Sequence, residues 1–149
     1  MAFIPPDKMF KIMTRTHIFL YRKSGGKIWN TMLGMPVLLL TTIGRKSGKS
    51  RTTPVVYVRN NGDYLIAASK GGADSHPAWY LNLEASSEAQ VEVEDKVFTV
   101  QVTVTEGEER TQLYGKFKVA GDHFATYEQN TQRTIPVVRL TPIKEFATA

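Results

Sequence analysis

A glycine-containing cationic loop between two apolar runs constrains the fold of this 149-residue chain most strongly. The runs cover residues 37–42 and 54–58, and short β-branched runs bounded by Gly and Pro predict strands. The loop between them then forms a hairpin tip, and it carries four cations within seven residues: Arg45, Lys46, Lys49 and Arg51. Like charges this close repel by about 1 kcal/mol per close pair even in water. The loop therefore predicts a site for a ligand rich in phosphate or carboxylate.

The same loop has two other interpretations. Residues 44–50 read G-x-x-x-G-K-S, one residue short of the nucleotide-binding P-loop. A P-loop needs a helix directly after it, whereas the strand-like residues 52–56 follow here, so that interpretation is excluded. A solvated surface hairpin is the remaining alternative, and charge alone does not exclude it.

The amino-acid composition excludes several kinds of functional site. The chain has no cysteine, which excludes disulfides and thiolate sites and fits a cytoplasmic protein. It has no secretory signal pattern and no apolar run near the ~18 residues of a membrane span. Its three histidines, His17, His76 and His123, lack the spacing of metal ligands, so we expect no metal.

Charge is concentrated near the N-terminus. Residues 1–30 hold six cations against one acid, Asp7, whereas residues 31–149 are neutral overall. A basic face suited to nucleic acid is not indicated, so we expect no nucleic-acid partner. A helix is predicted for much of residues 7–23, ending at Ser24-Gly25-Gly26. This segment packs on the body, forms a lid, or contacts the inner membrane surface peripherally, and packing is the favoured alternative.

The remaining pattern predicts one domain, residues 1–149, of α+β class. A tight turn is expected at Asn61-Gly62. Ser75-His76-Pro77 is expected to open a short helix, with Ser75 as the capping candidate before the proline, and a capping box at residues 105–108 starts a helix to about Lys118. Six strands are predicted at about 37–43, 53–59, 64–69, 89–94, 97–104 and 134–140. Inserted rather than alternating helices favour a six-stranded, mostly antiparallel barrel.

Aromatic residues that could wall a pocket accompany the basic hairpin and a Gly-Gly loop with Lys70. They are Trp29, Tyr57, Trp79, Tyr80, Phe124 and Tyr127. Together these features suit a large planar anionic cofactor, although ordinary core packing is the better explanation for any single aromatic.

Four motifs in order carry a family resemblance. They are LLLTTIGRKSG at 38–48, AASKGGA at 67–73, PAWYLNL at 77–83 and RTIPVV at 133–138. From about Thr16 to Pro142 the chain closely resembles the deazaflavin-dependent nitroreductase family, the A-type flavin/deazaflavin oxidoreductases. The resemblance implies a split β-barrel, similar to FMN-binding split barrels. It also implies the 8-hydroxy-5-deazaflavin coenzyme F-420, which carries a phospholactyl group and a polyglutamate tail.

The implied activity is hydride transfer from reduced F-420 to an electron-poor acceptor: an activated enone, a coumarin lactone, a quinone or a nitroaromatic. Three alternatives stay open: an FMN-dependent enzyme of the same fold, a non-catalytic cofactor carrier or peripheral membrane protein, and, least favoured, a nucleic-acid binder.

The family pattern also implies site residues. The phosphate and tail would be held by Arg45, Lys46, Ser47 and Arg51, with Gly48 in the same cofactor-binding loop. The ring and its ribityl chain would lie beside Pro54, Val55, Val56, Ala67, Ala68, Ser69, Lys70, Gly71 and Gly72. The site would be closed from a helix N-terminus by Ala78, Trp79, Tyr80, Leu81 and Asn82.

The acceptor would meet Trp29, Phe124 and Tyr127, and a proton would come from solvent, Ser69 or Tyr127. Nitroimidazole-reducing relatives often have several tyrosines before the RTIP motif. Phe124 lacks that hydroxyl, which predicts weak or absent nitroimidazole reduction.

Overall fold

A computed structural model describes residues 6–146, so residues 1–5 and 147–149 of the predicted domain lie outside the described part. The four helices are α1 (Pro6–Lys23), α2 (Ala78–Glu84), α3 (Gly107–Ala120) and α4 (His123–Gln129). The eight strands are β1 (Thr31–Met32), β2 (Met35–Ile43), β3 (Ser50–Val56), β4 (Val58–Asn60), β5 (Asp63–Ala67), β6 (Glu88–Val93), β7 (Lys96–Val104) and β8 (Val137–Phe146).

The strands form one curled antiparallel sheet in the order β1-β2-β6-β7-β8-β5-β4, with β3 also paired to β2. β3 and β4 are successive halves of one bent segment, of which the first half pairs with β2 and the second with β5. The break falls at Tyr57, whose N–H donates to the carbonyl of Pro36 at 3.0 Å. This segment joins the two ends of the sheet, so the predicted α+β split barrel is confirmed and the strand predicted at 53–59 is this bent segment.

The last strand differs from its prediction. It begins at Val137 rather than 134 and continues to Phe146. The extension is explained by pairing, because β7 is nine residues long and its register runs from Val104↔Val138 to Val97↔Phe146. Because β7 is long, it continues to pair with the polar C-terminal residues of β8, whose sequence does not predict a strand.

Strand β5 buries side chains on both faces of the sheet. Along β5, Tyr64 and Ile66 belong to the core inside the barrel, whereas Leu65 and Ala67 belong to a second core under α3 and α4. This alternation is the period of two that a strand imposes on its side chains. Burial on both faces therefore fixes the register of β5, because a slip by one residue would exchange the two faces.

The C-terminal half of α1 is anchored on the barrel. The buried Tyr21 hydroxyl donates to the Val37 carbonyl at 3.1 Å and accepts the N–H of Glu94 at 2.8 Å. Burial raises the pKa of Tyr21 to about 12, so the phenol stays neutral. Arg22 adds a bidentate ion pair to Glu92 at 2.9 and 2.8 Å. The predicted packing of this segment on the body is seen for the C-terminal half of α1, whereas residues 6–13 are all exposed.

Two predicted caps are wrong. The Thr105 hydroxyl donates to the Val137 carbonyl at 2.8 Å, so α3 begins after Glu106 without a side-chain cap. The residue before α2 is Pro77, also without a side-chain cap, so Ser75 does not cap that helix. At Thr105 a tertiary hydrogen bond occupies the hydroxyl that was predicted to cap α3. At α2 it is Pro77, not Ser75, that directly precedes the helix. The seven-residue α4 was not predicted, because Phe124 is its only buried residue and gives no periodicity.

Candidate functional site

A cleft of about 720 Å³ lies where α1, the β2–β3 hairpin tip and the start of α2 meet. The hairpin forms as predicted, with register Ile43↔Ser50, and Gly48 at φ +71° donates its N–H to the Gly44 carbonyl at 2.8 Å. A positive φ of this size favours glycine, which explains the residue type at the tip. The cleft is therefore built on a regular hairpin with a tight turn.

Six cations line this cleft: Lys11, Arg15, Arg22, Arg45, Lys46 and Arg51. Arg22 is neutralised by Glu92. Among residues 6–146, no ion pair involves any of the other five. Their positive potential is thus left uncompensated by the protein, which favours an anionic ligand in the cleft.

Asn82 connects α2 to the base of the hairpin. Its buried side-chain oxygen accepts from the Arg45 backbone N–H at 3.1 Å and from the Arg45 guanidinium at 3.3 Å, while its nitrogen donates to the Thr42 hydroxyl at 3.1 Å. One side chain therefore sets the position of α2 relative to the cationic loop and orients Arg45.

Seven of the predicted cofactor residues line the cleft: Arg45, Lys46, Ser47, Arg51, Ala78, Trp79 and Asn82. Gly48 lies in the turn beside them, and residues 54–56 continue β3 from the cleft-lining Thr53. Val55, Ala68 and Tyr80 belong to the barrel core, with Leu81 packed against it, and Ala67 belongs to the second core. The structure thus brings the residues predicted to bind the phosphate and tail together in one cleft, whereas the residues predicted to bind the ring lie outside it.

The predicted loop after β5 is a strained turn. Lys70, Gly71 and Gly72 have φ values of 47°, 65° and 85°, the left-handed region that is unfavourable for lysine. The Lys70 ammonium donates to the Ser75 hydroxyl at 3.2 Å. Strain of this kind persists only where the surroundings hold it in place.

Arg133 holds this turn, a role that the sequence reasoning missed. Its guanidinium donates to the carbonyls of Ala68, Ser69 and Ala73 at 3.1, 2.9 and 2.7 Å. It also contacts Nδ1 of His76 at 3.0 Å. Burial lowers the pKa of Arg133, yet a guanidinium remains charged at neutral pH. The sequence feature that could have indicated this role is the arginine at the start of the RTIP motif, which is followed by the buried residues 135–138.

Helix α4 packs directly on the same turn. A Cβ at Gly72 would lie 3.1 Å from both Cα and O of Tyr127. The two predicted proton donors, Ser69 and Tyr127, therefore lie on adjoining segments. Neither lines the cationic cleft.

The other predicted acceptor-pocket residues lie elsewhere. Phe124 is 1% exposed and packs against Tyr114 and Phe117 in the second core. Trp29 is 46% exposed and lies against His17 with ring centroids 4.9 Å apart. The expectation of weak nitroimidazole reduction thus depends on a side chain that the structure places in the core.

Similarity to known proteins agrees with this geometry. Residues 13–142 match a family model described as F420H(2)-dependent quinone reductase. The F420H(2)-dependent quinone reductase Rv1261c of Mycobacterium tuberculosis (strain ATCC 25618 / H37Rv) is 35% identical over 135 residues, which span 87% of this chain and 89% of that protein.

The solved structures that are similar to this chain include an F420-H2 dependent reductase. One described as an F420-H2 dependent reductase (FDR-A) has 40% identity and a TM-score of 0.65, covering 70% of this chain and 93% of that one. Another, described as a domain-swapped dimer, has 34% identity and a TM-score of 0.67, covering 91% of this chain and 99% of that one. The protein HutZ from Vibrio cholerae, at 16% identity and a TM-score of 0.60 over 91% of this chain and 94% of that one, shares the fold alone.

Two neighbouring glycines provide a test of the turn. Gly72→Ala is expected to lower the free energy of unfolding by about 2–4 kcal/mol, because it adds a crowded methyl group to an unfavourable φ. Gly71→Ala is the matched control, since it has a similar φ and nothing within 4 Å of its Cβ position, and should cost about 1 kcal/mol. Urea unfolding measures both, and equal losses would contradict the packing of α4 on the turn.

Proposed function

The chain belongs to the F420H(2)-dependent quinone reductase family, and on that premise we propose that it transfers a hydride from reduced coenzyme F-420 to a quinone or a related electron-poor acceptor. The observation that carries the proposal is the cleft at the hairpin tip, with its five cations that form no ion pair within the described residues 6–146. A coenzyme with a phosphate and several carboxylates matches that charge, whereas a neutral ligand would leave it uncompensated.

The residues present fit the coenzyme. Arg45 is suited to the phosphate and Arg51 to the first carboxylate of the tail, because a guanidinium can pair two oxygens at once. Lys46, the Ser47 hydroxyl and the Gly48 turn add donors on the same loop. Trp79 and Ala78, at the start of α2 with Asn82, line the same cleft. We assign the phosphate and the first part of the tail to this set.

The ring system belongs in our proposal to the region between β3 and the turn after β5. Pro54 to Val56 lead away from the cleft along β3. Ala67, Ala68, Ser69, Lys70, Gly71 and Gly72 are the candidates for the ring edge and ribityl chain. Arg133 fixes three carbonyls around this turn, so it serves as a positioning residue for whatever binds there.

The bound reduced coenzyme would supply the hydride. Reduction of a quinone to a hydroquinone needs one hydride and one proton, and the chain's own task is to orient the acceptor and deliver the proton. The Ser69 and Tyr127 hydroxyls are the candidate donors, and Trp29 and Tyr127 remain the candidate acceptor contacts. Phe124 is buried and packs against the Tyr127 ring, with centroids 5.4 Å apart, so it would support that contact and not make one itself. Water would restore the proton to either hydroxyl.

Tail recognition can be tested at the hairpin. We expect Lys46→Ala/Arg51→Ala to weaken binding of oxidised F-420 by more than about tenfold and binding of FMN only slightly, because FMN has one phosphate and no tail. Titration calorimetry measures both ligands. Lys96→Ala/Lys116→Ala is the control with the same charge change, and both residues lie outside the hairpin and the cleft. Stronger wild-type binding of FMN than of F-420 would favour the FMN-dependent alternative.

Proton delivery can be tested separately. Ser69→Ala and Tyr127→Phe are expected to slow single-turnover quinone reduction, by about 100-fold for the true donor, because general acid catalysis contributes on that scale. The Kd for F-420 should stay within twofold for both variants. Unchanged rates in the double variant would assign the proton to solvent instead.

We also propose that α1 contacts the cytoplasmic surface of the inner membrane. No helix in residues 6–146 is long and apolar enough to cross a bilayer. However, Met9, Ile12, Met13 and Phe19 are 47–62% exposed and fall on one stripe of the helix, with cations beside them. An exposed apolar stripe flanked by lysines and arginines is typical of interfacial helices.

Vesicle sedimentation tests this contact. Met13→Ser/Phe19→Ser should reduce binding to vesicles containing anionic lipid by at least about fivefold, because two apolar contacts with the bilayer are lost. Val119→Ser/Ile143→Ser removes two exposed apolar side chains from outside α1 and should bind as the wild type does. Equal binding of all three proteins would contradict an α1-mediated contact.

A further inference from the structure

Helix α1 carries a cationic stripe separate from its apolar stripe. Lys8, Lys11, Arg15 and Arg22 follow each other at intervals of three, four and seven residues, which places them on one side of a helix. The apolar positions 9, 12, 13 and 19 lie beside this side. Lys11, Arg15 and Arg22 line the same cleft as the hairpin cations.

The two α1 cations that line the cleft beside Arg22 have no counter-charge within residues 6–146. Arg22 is held by both oxygens of Glu92, at 2.9 and 2.8 Å. Lys11 and Arg15 take part in no described ion pair or side-chain hydrogen bond, and they line the same cleft as Arg45, Lys46 and Arg51. Cations that share one cleft repel each other, so this arrangement favours an anion bound among them.

We propose that Lys11 and Arg15 form the second half of the tail site, so that the carboxylates of the coenzyme's glutamate tail bind between α1 and the hairpin tip. This inference rests on the proposed function and extends it to a helix to which the motifs assign no role in the cofactor site. One loop can surround a phosphate, but a chain of carboxylates needs cations distributed along its length. Positions 11 and 15 provide this, because residues four apart on a helix lie about 6 Å from each other.

The proposal also concerns how α1 is held. Its buried residues, His17 and Tyr21, are in the C-terminal half, and residues 6–13 are exposed throughout. A tail that bridges Lys11 and Arg15 to the hairpin would fasten the N-terminal half by charge. Ligand binding should therefore slow backbone amide exchange in α1, ahead of Thr16.

The test compares two forms of one coenzyme. Lys11→Ala/Arg15→Ala is titrated with oxidised F-420 bearing a long glutamate tail and with the form that ends at the phospholactyl group. We expect about tenfold weaker binding of the tailed form and less than twofold change for the tail-less form, since two charge-assisted contacts are lost only with the tail. Fluorescence titration gives both Kd values.

Two further variants complete the test. Lys8→Ala/Lys23→Ala makes the same charge change on the same helix, at residues that do not line the cleft, and should bind both forms as the wild type does. Lys11→Arg/Arg15→Lys keeps both charges and should also retain binding. This pair separates loss of charge from damage to the helix.

The outcomes are distinct. Equal losses for both forms, or no loss for the tailed form, would overturn the α1 site while leaving the proposed function intact. A wild-type protein that binds neither form would overturn both. Hydrogen exchange adds a measurement independent of affinity: residues 6–16 should gain protection with the tailed form only, and equal protection by both forms would contradict the inference.

Discussion

The pairing of β2 with β3 on one side and with β6 on the other is the constraint on which the cleft depends. Leu38, Leu39 and Leu40 are fully buried, so β2 cannot change register without moving apolar side chains out of two cores. Because β2 is locked, the loop that follows it projects from a fixed point, and Asn82 then ties α2 to that point. A charged loop can stay ordered without a ligand when its base is this rigid.

The two ends of the proposed cofactor site are stabilised in different ways. The hairpin end relies on backbone pairing and keeps its cations exposed, so it can exchange ions with solvent. The turn after β5 relies on Arg133, which donates to three backbone carbonyls, and on the close approach of Gly72 to α4. Charge recognition thus occupies the adaptable end, while the strained backbone at the other end is held where a ring would need fixed geometry.

Features encoded locally could be predicted from the sequence, and features decided by tertiary contacts could not. The Asn61-Gly62 turn and the cationic hairpin were correct, because glycine positions and strand runs specify both. The break at Tyr57 was not visible, since it depends on a hydrogen bond to Pro36. The Thr105 cap failed because Val137 competes for the hydroxyl. Likewise, nothing local shows that one side of α1 faces the cleft.

The bent segment that joins the ends of the sheet has a consequence for recognition. Among the described strands β3 pairs only with β2, and α1 lies beside it. Residues 50–53 of β3 also line the cleft. The wall of the cleft thus includes a strand edge, where alternate N–H and C=O groups point away from the ladder. Hydrogen bonds to such groups do not depend on side-chain identity, so a ligand held at this edge would tolerate substitution of the side chains around it.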